Sequence, residues 1–294
     1  LKGPLCPKNT MMKKFLTIIS LITLLFASCS KEEIVPETEL KQAAGTLSLN
    51  FDAIYGSQDF ALNKAFDYEL TSSSGNAKFT YEFTKLRYWV SNVILVTKDG
   101  NEYKVPDSYY LIEENTAQPI QGGSFNKVYP ANKRENVIIR DIPFGEYKTV
   151  KFSIGVDSRY NDNLTLRAGE LSALTAMAND DWMWFTSYIF TSTAGKITWV
   201  KSAPEAAVSK NFTFETGSNA QFKQKTIELI NPISIGGDYT SKIDLTVDAK
   251  KILDLEAPFT DNIIGATKPA LMTRLTDNVI SKAISFKSAE GIKK

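Results

Sequence analysis

The stretch Asp180-Asp181-Trp182-Met183-Trp184-Phe185-Thr186-Ser187-Tyr188-Ile189-Phe190 restricts the folds open to this chain more than any other part of it. Trp182, Trp184, Thr186, Tyr188 and Phe190 fall on alternate positions, and the period of a strand puts them on one face. Met183, Phe185 and Ile189 line the other face, so a strand here has to be covered on both sides. The middle of a sandwich or barrel provides that cover, and core packing is the ordinary reason for such a run. Ala194-Gly195 closes it.

Other short β-forming runs surround this one. Residues 46–51 alternate, with Leu47, Leu49 and Phe51 expected inward. Residues 79–83, 86–97, 109–112, 136–140, 149–154, 197–200, 211–214, 226–230 and 242–247 read as further strands. Asp99-Gly100 marks a hairpin turn, and Ile142-Pro143-Phe144-Gly145 another turn. The 12 Tyr and 17 Phe lean the same way. The pattern predicts an all-β protein, an antiparallel β-sandwich over residues 45–248. Residues 249–255 read as a short helix. Leu271, Leu275, Val279 and Ala283 recur at helical spacing behind Pro269, predicting an amphipathic helix over 268–286. Residues 249–294 are thus expected as a C-terminal helical extension packed on the sandwich.

Composition excludes much chemistry. The 294 residues contain no histidine, which removes Ser-His-Asp triads, Cys-His dyads and imidazole metal sites. Lys plus Arg (34) nearly cancels Asp plus Glu (33), so charge gives no case for nucleic acid. No phosphate loop, dinucleotide fingerprint or zinc pattern occurs. Asp52 with Glu215 is the one carboxylate pair to nominate for glycoside cleavage, and no second motif supports it. An enzyme is not expected.

The N-terminal part reads as a targeting segment. Residues 1–10 form an upstream extension. Lys13-Lys14, an apolar run over 15–26 and Ala27-Ser28-Cys29 then form a secretory signal over 11–28. Its end resembles a bacterial lipoprotein signal, with Cys29 as the lipid attachment residue. Cys6 lies upstream, so no partner thiol remains in the mature chain. Ser30-Lys31-Glu32-Glu33 resembles the surface-export tag of Bacteroidetes lipoproteins, and a plain solvated linker is the other reading. Residues 29–44 are the lipidated cysteine and a flexible tether. These readings imply a monomeric outer-membrane lipoprotein of the cell envelope, held to the membrane through its lipid. Which side of that membrane it faces stays open.

Four segments in order carry a family resemblance: Leu86-Arg87-Tyr88-Trp89-Val90-Ser91-Asn92-Val93, Pro143-Phe144-Gly145-Glu146-Tyr147, Phe152-Ser153-Ile154-Gly155-Val156-Asp157-Ser158, and the tryptophan run ending at Gly195. Together they resemble the MbnP family of bacterial surface and periplasmic β proteins. The resemblance implies copper handling through histidines and a tryptophan oxidised to kynurenine. This chain departs from that pattern. Asp52 stands where the family's copper binders carry a histidine, and Glu215 replaces the second. Ser187 stands for a usual glycine and Ala194 for a usual glutamate, while Trp182-Met183-Trp184 is kept.

Asp52, Glu215, Trp182 and Trp184 are therefore the candidate metal-site residues. Two converging carboxylates suit a hard cation better than copper. Asp157, with Asn161, Asp162 and Asn163 in its loop, offers oxygens that suit Ca²⁺, with local capping as the alternative. A rival reading makes the domain a surface carbohydrate- or protein-binding module, stacking glycans on Trp182, Trp184, Trp89 or Trp199. Exposure of those rings discriminates the two.

Overall fold

Alternating apolar residues pair the chain into two packed sheets. The structure is a computed structural model describing residues 43–72, 75–120, 127–179, 187–202 and 204–294. Its main elements are β1 (Gly45–Tyr55), β2 (Ala65–Ser72), β3 (Gly75–Thr97), β4 (Tyr109–Asn115), β5 (Asn136–Ile142), β6 (Gly145–Ile154), β7 (Ser187–Val200), β8 (Val208–Gly217), β9 (Lys223–Ile235), β10 (Tyr239–Asp248), helix α1 (Pro269–Asn278) and β11 (Ile284–Lys293). The smaller sheet runs β5-β1-β10-β11 and the larger β9-β6-β3-β7-β8. Neighbours in both are antiparallel, except that β1 and β10 run parallel.

Strand β1 shows how the sequence sets the layers. Leu47, Leu49, Phe51, Ala53 and Tyr55 are buried, while Ser48, Asn50, Asp52 and Ile54 are half-buried on the other face. The inward rings meet those of the larger sheet: Phe51 lies edge-on to Phe152 of β6 at 5.4 Å. Such a pair contributes ~0.5–1.5 kcal/mol beyond the area it buries.

Strand β3 is the spine of the larger sheet, pairing with β2, β4, β6 and β7. The sequence suggests two strands, 79–83 and 86–97; the structure joins them. Phe83 and Leu86 are both buried, so the two residues between them must absorb one extra position. The register shifts there, with Ala194 opposite Lys85 and Gly195 opposite Phe83. That is a β-bulge.

A second apolar cluster covers part of the outer face of the larger sheet. Trp89, Tyr109, Leu111, Val156, Tyr160, Met177, Tyr188 and Phe190 form it. The tryptophan run falls partly on described residues. Tyr188, Ile189 and Phe190 are all buried, but all three belong to this one cluster rather than to opposite faces, beside a register shift between Ile189 and Thr191. Ala178 pairs with Tyr188 and Asn179 with Ser187. Residues 180–186, with Trp182 and Trp184, lie outside the described residues, as does Cys29.

The C-terminal expectation needs correcting. Helix α1 starts at Pro269 as expected and ends at Asn278, followed by a π-helical turn over Val279–Ala283. From Ile284 the chain becomes β11, which pairs with β10 at the edge of the smaller sheet. Ile284 is buried and Phe286 half-buried, while Ser285 and Lys287 are exposed, so the period drops from helical to two. Residues 284–293 complete the sandwich, and a helical extension over 249–294 does not describe them.

The outer face of the smaller sheet is polar and knitted together. Asp244 accepts from Asn50 at 3.1 Å and Ser288 at 3.0 Å, and pairs with Lys242 at 2.8 Å. Burial alone would raise its pKa, but the hydrogen bonds from Lys242, Ser288 and Asn50 outweigh this and hold it below the ordinary value. A carboxyl more acidic in the folded state adds stability above its unfolded pKa of about 4, and loses it as pH falls below that. Asp244→Asn should therefore lower the urea midpoint at pH 7. Its difference from the parent should shrink when the titration is repeated near pH 3.

Candidate functional site

Strand periodicity decides where the nominated carboxylates go. Phe51 of β1 and Phe214 of β8 both point into the shared core. Their chain neighbours Asp52 and Glu215 must then point away from it, on the outer faces of different sheets. Asp52 pairs with Lys287 at 2.7 Å. Glu215 Oε1 accepts from Lys85 Nζ at 3.2 Å and from Ser192 Oγ at 2.8 Å. The structure does not bring Asp52 and Glu215 together, and an ammonium group already faces each of them.

Asp157 is also engaged by its own chain. Oδ1 accepts from the Arg159 amide at 3.2 Å, capping the single helical turn Ser158–Asn161. Oδ2 accepts from the Tyr109 hydroxyl and from Asn92 Nδ2. Burial, and then the bond to Asp157, push the Tyr109 phenol well above its ordinary pKa. Further along, Asn161 Oδ1 accepts from the Tyr188 amide at 2.9 Å, and Asn219 Nδ2 donates to Asp162 at 2.9 Å. The loop is a capping network. Among the described residues no group of three or more His, Cys, Asp or Glu is placed to hold a metal ion.

The strongest polar feature of this face is one that motif reading passes over. Arg87 and Glu113 form an ion pair whose side chains are 0% and 3% exposed. Glu113 Oε2 accepts from Arg87 Nε at 2.8 Å and Nη2 at 2.6 Å. Its Oε1 accepts from the Tyr129 hydroxyl and Asn132 Nδ2, each at 2.7 Å. The Tyr129 ring lies over the guanidinium at 4.5 Å. Burial and the bond to Glu113 push that phenol up to about 12. Arg87 also donates to the carbonyls of Thr175 at 2.7 Å and Ala176 at 3.3 Å.

Both carboxylate oxygens are thus occupied by the chain's own donors. The pair pins the segments around Tyr129 and Thr175 onto the larger sheet. A signal for it does exist in the sequence. Period two puts Glu113 on one face of β4 with Tyr109 and Leu111, and Arg87 on one face of β3 with Trp89. These are charges on apolar faces.

The tryptophans divide by exposure. Trp89 is fully buried, edge-on to Tyr188 at 5.8 Å, and cannot stack a glycan. Trp199 is 38% exposed, beside Phe79 and Phe259, with Lys201 over its ring at 5.2 Å.

The fold and this face define a two-layer β-sandwich carrying a second apolar cluster, with its outer carboxylates paired to the chain's own cations. The chain belongs to the MbnP family: the family's model, described as MbnP, matches residues 44–272. Among solved structures, MbnP from Methylosinus trichosporium is similar, at 13% identity over 76% of this chain and 82% of that one, with a TM-score of 0.40. No curated protein matches.

Proposed function

We propose that this protein is a lipid-anchored, non-enzymatic binding module of the outer membrane, and that its ligand is not a copper ion held in the manner its family resemblance implies. The donor set carries this reading. Cu(I) takes soft or imidazole ligands, and the chain has no histidine. Of the described soft donors, Met177 is buried in the outer cluster and Met272 in the main core, so they belong to different layers. Asp52 and Glu215 face Lys287 and Lys85. An ammonium group beside each carboxylate opposes the approach of any cation.

The N-terminal reading supplies the rest. A signal ending in Ala27-Ser28-Cys29, and the Ser30-Lys31-Glu32-Glu33 segment after it, support acylation at Cys29 and a Bacteroidetes-type lipoprotein of the cell envelope. Metal content by mass spectrometry tests the binding claim on mature protein incubated with Cu(I), Cu(II), Ca²⁺ and Mn²⁺. The expected result is substoichiometric copper and an intact mass showing unoxidised tryptophans. One copper per chain would overturn it. One calcium or manganese per chain would keep a metal function and move attention to oxygen ligands. No retained metal would turn the search toward glycan or protein ligands.

A further inference from the structure

The chain enters the sandwich at one defined end. Ala43 accepts a hydrogen bond from the Gly237 amide at 2.9 Å, and Gly45 pairs with Ile142 at the start of β1. Around this point lie the Pro143-Phe144-Gly145 turn, the Gly236–Tyr239 turn, the Lys98-Asp99-Gly100 turn and Lys294. Lys98 donates through its amide to Glu146 at 2.8 Å, and Lys294 to Asp238 at 2.8 Å. Phe144 is 42% exposed here, 6.3 Å from the Tyr239 ring. Its other side rests on Gly236, where a Cβ would lie 2.6 Å from the ring. The backbone thus holds an apolar ring outward beside the tether's attachment point.

We propose that this end of the domain rests on the lipid surface, with Phe144 inserted at the headgroup boundary. The inference depends on the reading of Cys29 as acylated. Only residues 30–42 separate Cys29 from Ala43, a reach of at most about 45 Å when fully extended. Contact is therefore intramolecular once the lipid is anchored, and a single weakly inserting ring suffices to set orientation. The apolar area left on Phe144 is worth roughly tenfold in partitioning. Charge at this end is mixed, with no basic excess: Lys98, Lys148 and Lys294 lie among Asp99, Asp141, Asp238 and Glu146, and Lys98 pairs with Glu146 at 2.9 Å. Recognition is apolar, so neutral phosphatidylcholine serves as well as anionic lipid, and salt leaves the contact unchanged.

The test uses mature lipoprotein in phosphatidylcholine vesicles containing headgroup spin-labelled lipid. Acylation occupies Cys29, so a fluorophore on Asp99→Cys reports this end, and one on Val208→Cys reports the opposite end of β7 and β8. Quenching at 99 should exceed that at 208 several-fold, persist at high salt, and fall to the level at 208 when Phe144→Ser is added. Equal quenching at both probes, stronger quenching at 208, or no effect of Phe144→Ser would overturn the orientation. Intact mass of the same sample reads acylation separately. An unacylated Cys29 overturns the anchor and the orientation with it, whereas an acylated protein without the asymmetry overturns the orientation alone.

Discussion

Arg87→Met should destabilise the domain by about 3–5 kcal/mol, the usual cost of removing one partner from a buried ion pair. The loss has two parts. Glu113, 3% exposed, would keep only the Tyr129 and Asn132 donors and carry an uncompensated charge in an apolar setting. The carbonyls of Thr175 and Ala176 would also lose their donor. The double variant Arg87→Met/Glu113→Leu should recover most of the stability, because well-packed apolar groups commonly replace a buried pair at little cost. Recovery should stop short of complete, since Tyr129 and Asn132 lose their acceptor. Urea titrations of the parent, both single variants and the double measure this directly. A single-variant loss below about 1 kcal/mol is what an exposed pair shows, and would mean that water reaches Glu113.

This pair also marks a boundary between what sequence patterns reveal and what they hide. Alternation places β1, because each side chain's direction follows from its neighbours, but it does not place Tyr188, Ile189 and Phe190, which share one cluster beside a register shift. The C-terminal strand is hidden for a physical reason. The helical spacing of Leu275, Val279 and Ala283 runs straight into Ile284, and the strand that β11 pairs with precedes α1 in the chain. Arg87 and Glu113 each fall on an apolar face by period two, but that they answer one another shows only when β3 and β4 are paired. The separation of Asp52 from Glu215 is written in the sequence, since Phe51 and Phe214 beside them both claim the core. It becomes readable only when the two strands are assigned to facing sheets.

The segments that carry the family resemblance have structural work in this chain. Ser91 Oγ donates to the Gly155 carbonyl at 2.7 Å, tying the first segment to the third. The Tyr147 hydroxyl donates to the Pro143 carbonyl at 2.8 Å and closes the second upon itself. Gly155 has φ +105°, and a Cβ there would lie 2.3 Å from the Phe190 ring, tying the third to the fourth. Asp157 caps a turn and holds Tyr109. The motifs therefore hold the sandwich and its outer cluster together. That explains how a chain without histidine still belongs to the family.

Gly195→Ala is the sharpest test of this scaffold reading, and should cost about 3 kcal/mol. A Cβ at position 195 would lie 2.0 Å from the Glu82 carbonyl oxygen and 2.8 Å from the Phe83 Cα. Both are backbone atoms of β3, so no rotamer change relieves the clash, and β3 and β7 must separate locally. Lys85 stands opposite Ala194 at this register shift and donates to Glu215, so that contact should loosen as well. Gly100→Ala is the control. It has φ +92° but nothing within 4 Å of a new Cβ, and should cost only ~1 kcal/mol of backbone strain. Urea unfolding gives the two losses, and amide exchange should show reduced protection along β3 and β7 for Gly195→Ala alone. Equal losses without local exchange would mean that the strands do not approach this closely, and the motif glycine would then need another explanation.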